Sequence, residues 1–112
     1  MKQYSENGSV HARLRSHSGK TPAAPAILGV DGEKFDYGAL WGTIARVASD
    51  LRSRGITADD CVAMVAPEGP ATTLSFLAIS AVAKCAPLNP GYSERDFKFY
   101  FDDLKPKALL IP

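Results

Sequence analysis

A chain of 112 residues, 46% apolar and 22% charged, has the composition of one ordinary globular domain. Its 13 basic and 12 acidic residues leave a net charge of +1, and no face is expected to carry one sign, which argues against nucleic-acid binding and a polybasic membrane anchor. Residues 1–25 contain no apolar signal-peptide core and no later segment has the length of a membrane span, so a cytoplasmic protein is predicted.

Residues 1–20 are predicted to be an N-terminal tail that includes one short helix. Met1–Gly8 is polar and is expected to be loose, as chain ends commonly are. Ser9 is a suitable N-cap for a helix over Ser9–Ser18, in which Val10 and Leu14 share a face.

The histidines and cysteines do not have the spacing of a metal or redox site. His11 and His17 do not share a helix face, and no cysteine or carboxylate completes a ligand set, so both are predicted to be surface histidines. Cys61 and Cys85 each lie inside an apolar run and are predicted to be buried free thiols on strands.

A β-hairpin is predicted near the start of the folded region. Residues 21–25 contain two prolines and are expected to approach the core in an extended conformation. Asp31 and Gly32 form a strong turn dipeptide between the short runs Ala26–Val30 and Glu33–Phe35.

The hairpin is followed by a long amphipathic helix. Asp36 is a suitable N-cap, Tyr37–Arg54 has helical periodicity, and Gly55 is expected to close the helix in a left-handed conformation. The predicted buried face consists of Leu40, Ile44, Val47, Ala48 and Leu51. The predicted solvated face carries Arg46, Asp50 and Arg54.

Three short apolar runs alternate with helices and are predicted to be parallel strands. They are Cys61–Ala66, Lys84–Pro87 and Ala108–Ile111. Pro70 suits the first position of the helix that follows the first of these runs. The buried stripe of that helix is predicted to be Leu74, Leu77, Ala78 and Ala81. The predicted fold class is α/β, an open, mostly parallel β-sheet covered by helices, with the hairpin near its start.

The stretch Cys85–Leu104 joins the second of these runs to the last helix through a rigid corner. Pro87 and Pro90 each fix their own φ and hold the preceding residue extended. Ser93 and Asp96 have the spacing of a capping box, which starts the helix. The apolar stripe of this helix is predicted to be Phe97, Tyr100, Phe101 and Leu104.

No residues in the chain form a recognisable catalytic, cofactor-binding or metal-binding set. The nearest candidate for a phosphate-binding loop is Glu68-Gly69-Pro70, but Pro70 has no N–H and Glu68 has the wrong charge. Serine nucleophile motifs, cysteine–histidine pairs and spaced carboxylate pairs cannot be identified either. The catalytic, cofactor-binding and metal-binding residues of this chain are therefore predicted to be none.

From Thr21 onward, five features occur in the order in which the adenylate-forming (AMP-binding) superfamily begins. They are Pro22 with Ala26-Ile27, FDYGALW at Phe35–Trp41, the segment Gly55–Val65, SFLAI at Ser75–Ile79, and APLNPGY at Ala86–Tyr92. The chain resembles the N-terminal segment of this superfamily, and the stretch Ala86–Leu104 (APLNPGYSERDFKFYFDDL) is most similar to small-acid or fatty acyl-CoA synthetases of the oxalyl-CoA synthetase type. Residues 21–112 would then be part of a larger AMP-binding N-terminal α/β subdomain.

The resemblance implies an enzyme that joins a carboxylic acid to ATP with magnesium and transfers the acyl group to the thiol of CoA or of a pantetheine arm. The residues that perform these steps in the family lie beyond the region that resembles this chain. The fragment is therefore expected to be inactive alone and to expose an edge strand and an apolar patch, through which it would self-associate. The alternative is a stand-alone α/β interaction or binding module that shares only the strand and helix order.

Overall fold

The computed structural model describes residues 9–111, and the segment Met1–Gly8, which is predicted to be loose, lies outside them. The elements in chain order are α1 (Val10–Lys20), β1 (Pro25–Leu28), β2 (Lys34–Asp36), α2 (Tyr37–Ser53), β3 (Cys61–Val65), α3 (Pro70–Ser80), β4 (Lys84–Leu88), α4 (Glu94–Leu104) and β5 (Ala108–Leu110). The predicted α/β fold is confirmed. No helix among the described residues is both long and apolar enough to cross a bilayer.

β1 and β2 form the predicted antiparallel hairpin, with a first arm one residue shorter than expected and a second arm shifted by one residue. The Gly29 N–H donates to the Glu33 carbonyl at 2.7 Å, so residues 29–33 form the loop, and Gly32 has a φ of 89°. The expected extended approach over residues 21–25 is wrong, because the Ala24 N–H donates to the Thr21 carbonyl at 3.1 Å and closes a turn.

The parallel sheet has the strand order β4-β3-β5, so β3 is central. Val62 lies beside Cys85 on one side and Ala108 on the other, and Met64 lies beside Leu110. These residues share the face of the sheet that packs on α2 and α3. β4 is an edge strand, which explains why it tolerates Pro87.

α2 begins and ends as predicted. Asp36 Oδ1 accepts the Ala39 N–H at 2.7 Å, which caps the first turn. At the other end the Ile56 N–H donates to the Leu51 carbonyl at 3.1 Å while Gly55 has a φ of 83°, which is a Schellman motif. The exposed row is also confirmed, and Asp50 and Arg54 form an ion pair at 3.1 Å.

α3 contributes to two hydrophobic clusters. Leu74 and Ala78 pack with Leu40 and Ile44 of α2, beneath the hairpin. Ile79, which is fully buried, packs instead on the sheet with Ala48, Leu51, Ile56, Val62, Met64 and Val82. The predicted single stripe on α3 is therefore incomplete, because this helix has apolar contacts on more than one side.

α4 is capped as predicted but is less buried than expected. Ser93 Oγ accepts the Asp96 N–H at 3.2 Å, and Asp96 Oδ2 accepts the Ser93 N–H at 3.2 Å. No residue of α4 is buried, and its predicted apolar stripe is only half-buried. Its rings also pack on each other, as the stacked Phe97 and Phe101 show.

Replacement of Lys105 with glycine is expected to stabilise the protein by about 0.5–1 kcal/mol. Lys105 caps α4 with a φ of 47°, where an L side chain is strained, while its N–H donates to the Phe101 carbonyl at 2.9 Å. Urea unfolding would measure the gain. Lys105→Ala is the matched control, and a similar gain in that variant would contradict this explanation.

Candidate functional site

Two loops diverge at the carboxyl edge of the parallel sheet. Residues 66–69 lead from β3 into α3, which packs on the Val62 and Met64 face. Residues 89–93 lead from β4 into α4. The chain moves from β3 to β4 in one direction across the sheet and from β4 to β5 in the other. Because both crossovers are right-handed, α4 lies on the face opposite to α3. Open α/β sheets bind ligands in the crevice between such diverging connections. The region between these two loops, called the crevice below, is the candidate functional site.

The loop after β4 forms a rigid wall of the crevice. The Gly91 N–H donates to Asn89 Oδ1 at 2.8 Å, and the Tyr92 N–H donates to the Asn89 carbonyl at 3.1 Å. The Tyr92 ring stacks on Tyr100 with centroids 5.1 Å apart. Hydrogen bonding with the Tyr100 hydroxyl raises the pKa of Tyr92, so the phenol remains neutral at pH 7. Residues 89–93 can therefore position a chain segment or ligand beside them, but they include no charged side chain that could take part in catalysis.

The loop after β3 does not fit the phosphates of ATP. Pro70 has no N–H, and the N–H groups of Thr72 and Thr73 donate to the Gly69 carbonyl at 3.1 and 3.4 Å. Glu68 is exposed and would repel an anion. Among residues 9–111, no three histidine, cysteine or carboxylate side chains converge to hold a metal ion such as Mg²⁺.

The two histidines have separate structural roles. His11 is half-buried, and its Nε2 lies 2.8 Å from the Leu77 carbonyl, which attaches α1 to α3. The prediction of a surface residue is therefore wrong for His11, because this long-range contact has no local signature in the sequence. His17 is exposed as predicted, and its ring lies 5.0 Å from that of Tyr37.

The cysteines are free thiols on adjacent strands, as predicted, but both are half-buried rather than buried. Cys61 pairs with Lys84, whereas Cys85 pairs with Val62, so the two side chains point to opposite faces of the sheet. Burial raises the pKa of Cys85 to about 11, with a further contribution from Cys61. Cys85 is therefore a thiol at neutral pH and is unsuited to act as a nucleophile.

A polar network at the amino edge of the sheet was not predicted from the sequence. Asp60 Oδ2 accepts the Thr57 N–H at 2.7 Å and the Thr57 hydroxyl at 3.1 Å, and Lys107 Nζ lies 3.4 Å away. Lys107 Nζ also donates to the Gly55 carbonyl at 3.0 Å. The network ties the end of α2 and the start of β3 to the residue before β5. The Thr57 to Asp60 spacing was its one local signal.

Asp60 is expected to make stability depend on pH on the acid side. The hydrogen bond from the Thr57 backbone holds the pKa of Asp60 below its usual value, so its contribution is present above the unfolded pKa of about 4 and is lost as the pH falls. Between about pH 5 and pH 3, the unfolding free energy should fall more steeply for the native protein than for Asp60→Asn. Urea unfolding would measure both slopes. Asp59→Asn, which removes one exposed carboxylate, is the matched control, and an equal change of slope in that variant would contradict this explanation.

Residues 14–112 match the family of AMP-binding enzymes. The chain belongs to this family. Enterobactin synthase component F of Escherichia coli (strain K12) is 31% identical over 103 residues, which are 91% of this chain and 8% of that protein. Oxalate–CoA ligase of Arabidopsis thaliana is 40% identical over 86 residues, which are 74% of this chain and 17% of that protein.

A solved structure shares the fold of this AMP-binding family member. The N-terminal subdomain of Klebsiella oxytoca NpsA superposes with a TM-score of 0.79 and 22% identity, over 92% of this chain and 27% of that chain. The resemblance inferred from the sequence is thus confirmed at the level of the family and fold. The relatives include a synthase component and a CoA ligase, and the chain spans less than a fifth of either one.

Proposed function

We propose that this chain is the N-terminal part of an adenylate-forming acid–thiol ligase and that it supplies structure rather than chemistry. The match of residues 14–112 to AMP-binding enzymes carries the proposal. The substrates of the whole enzyme would be a carboxylic acid, ATP with Mg²⁺, and a thiol, and we propose that it acts in the cytoplasm.

The contribution of these residues to the whole enzyme would be to position later chain. β3 is buried at the centre of the sheet, where Val62, Ala63 and Met64 are each at most 1% exposed. The corner after β4 is fixed by Asn89 and by the stacking of Tyr92 on Tyr100. Together these groups would hold the carboxyl edge of the sheet in place for residues that carry the nucleotide chemistry.

We propose that the acid substrate is a small carboxylic acid and that the acceptor thiol is CoA. The support is the higher identity to oxalate–CoA ligases, 40% for Arabidopsis thaliana and 44% over 54 residues for Saccharomyces cerevisiae. The second candidate is activation of an acid within a multi-enzyme synthetase. Its support is the longer alignment with enterobactin synthase component F, which covers 91% of this chain.

The test compares the 112-residue chain with the product of its complete open reading frame. Each is incubated with ATP, Mg²⁺ and a panel that includes oxalate, fatty acids and amino acids, and pyrophosphate release is measured. We expect acid-dependent release from the longer product alone. Activity of the 112-residue chain would contradict the proposal, and a reading frame that ends at Pro112 would favour an interaction module.

The acceptor is tested by adding CoA to the active reaction and searching for an acyl-CoA by mass spectrometry. A CoA thioester of a small acid supports the ligase. Release of pyrophosphate with an amino acid, without a CoA thioester, supports the multi-enzyme synthetase.

A further inference from the structure

A groove of about 480 Å³, with both apolar and acidic lining residues, lies between the hairpin loop and the start of α3. The two walls are in close contact, since a Cβ added at Gly29 would lie 3.0 Å from Pro70 Cγ. Leu28 is 69% exposed and Val30 is completely exposed beside the groove. Two adjacent apolar side chains in solvent at a groove are a feature of interaction surfaces.

The groove is lined by acidic side chains that have no charged partner among residues 9–111. Asp31 and Glu33 come from the hairpin loop and Glu68 from the loop before α3. None of the three carboxylates forms an ion pair or a side-chain hydrogen bond with another described residue. A ligand of this groove would therefore combine apolar and cationic groups.

α1 has the opposite charge to the groove. Its sequence contains Arg13, Arg15 and Lys20 and no acidic residue, and these three cations are exposed and form no ion pair with the described residues. Val10, Arg13 and Lys20 follow helical spacing along one side, and Val10 is 59% exposed. The net charge of +1 therefore includes cations on α1 and carboxylates at the groove that are far apart in the sequence.

We propose that a second copy of this chain occupies the groove with its α1. Val10 of that copy would contact Leu28 and Val30, while its Arg13 and Lys20 would meet the carboxylates of the groove. Because each copy has both surfaces, two copies can pair reciprocally around a twofold axis and form a closed dimer. This interface is distinct from the open edge of β5, and it does not depend on the enzymatic activity proposed above.

The salt dependence of self-association gives the first test. Sedimentation equilibrium of the 112-residue chain should show a monomer–dimer equilibrium at about 50 mM NaCl, and the dissociation constant should rise at least about tenfold at about 500 mM NaCl because exposed charges are then screened. A monomer at every concentration would overturn the proposal. Association that salt does not weaken would overturn it too, since it would indicate pairing through the apolar edge.

Charge exchange gives the second test. Arg13→Glu/Lys20→Glu and Glu33→Lys/Glu68→Lys should each weaken self-association at least about tenfold, and an equimolar mixture of the two variants should restore a dimer with one copy of each. The matched control is Arg46→Glu/Arg95→Glu, which changes two exposed helical cations outside both surfaces and should dimerise normally. Circular dichroism verifies folding of each variant. Failure of the mixture to associate, or equal weakening in the control, would overturn the proposal.

Discussion

Ile79→Ala is expected to reduce the free energy of unfolding by about 3–4 kcal/mol. Ile79 is fully buried where α3 packs on the sheet, in contact with a cluster that includes Val62 and Met64. Removal of three carbon atoms there costs both the transfer free energy and the cavity, because α2 and β3 hold the walls apart. For a domain of this size the loss is a large part of the total stability.

Phe76→Ala on the same helix is the matched control for Ile79→Ala. Phe76 is 42% exposed, so its truncation leaves no enclosed cavity and is expected to cost only about 1–2 kcal/mol. Both free energies would come from urea unfolding followed by circular dichroism. Equal losses in the two variants would mean that the contact between α3 and the sheet is not the principal core.

Gly69→Ala is expected to cost about 1–3 kcal/mol, although no atom obstructs the new methyl group. Gly69 caps α3 with a φ of 148° and a ψ of 176°, a region that only glycine adopts readily. The variant must either accept that strain or shift the loop between β3 and α3, which forms one side of the candidate site. Urea unfolding would measure the loss.

Gly42→Ala is the matched control for Gly69→Ala. Gly42 lies inside α2, is exposed and also has no atom near an added Cβ, but its backbone is helical. Alanine there should stabilise the protein by about 0.5–1 kcal/mol, because glycine loses more conformational entropy in a helix. The decisive result is a lower free energy of unfolding for Gly69→Ala together with a higher one for Gly42→Ala. A loss at Gly42 as large as at Gly69 would indicate that α2 cannot accept a methyl group.

The candidate site was predictable only in part. The corner after β4 was evident from Pro87, Pro90 and the Ser93 to Asp96 spacing, because prolines and capping boxes act within a few residues. The crevice was not predictable, since it depends on β5 pairing with β3 rather than with β4. The closure of the amino edge by Lys107 and Asp60, 47 positions apart, was likewise beyond local patterns.

Sequence patterns were sufficient for the elements whose causes are local. The hairpin, the Asp36 cap, the Gly55 terminus and the order of strands and helices follow from turn chemistry and from apolar periodicity, and all of them are present in the structure. Three features were decided only by the tertiary structure, because each joins residues that are distant along the chain. They are the strand order, the packing of α3 on both the sheet and α2, and the hydrogen bond between His11 and Leu77. The separation of charge between α1 and the hairpin groove belongs to this second group, since Glu68 meets the hairpin only after α3 packs beneath it.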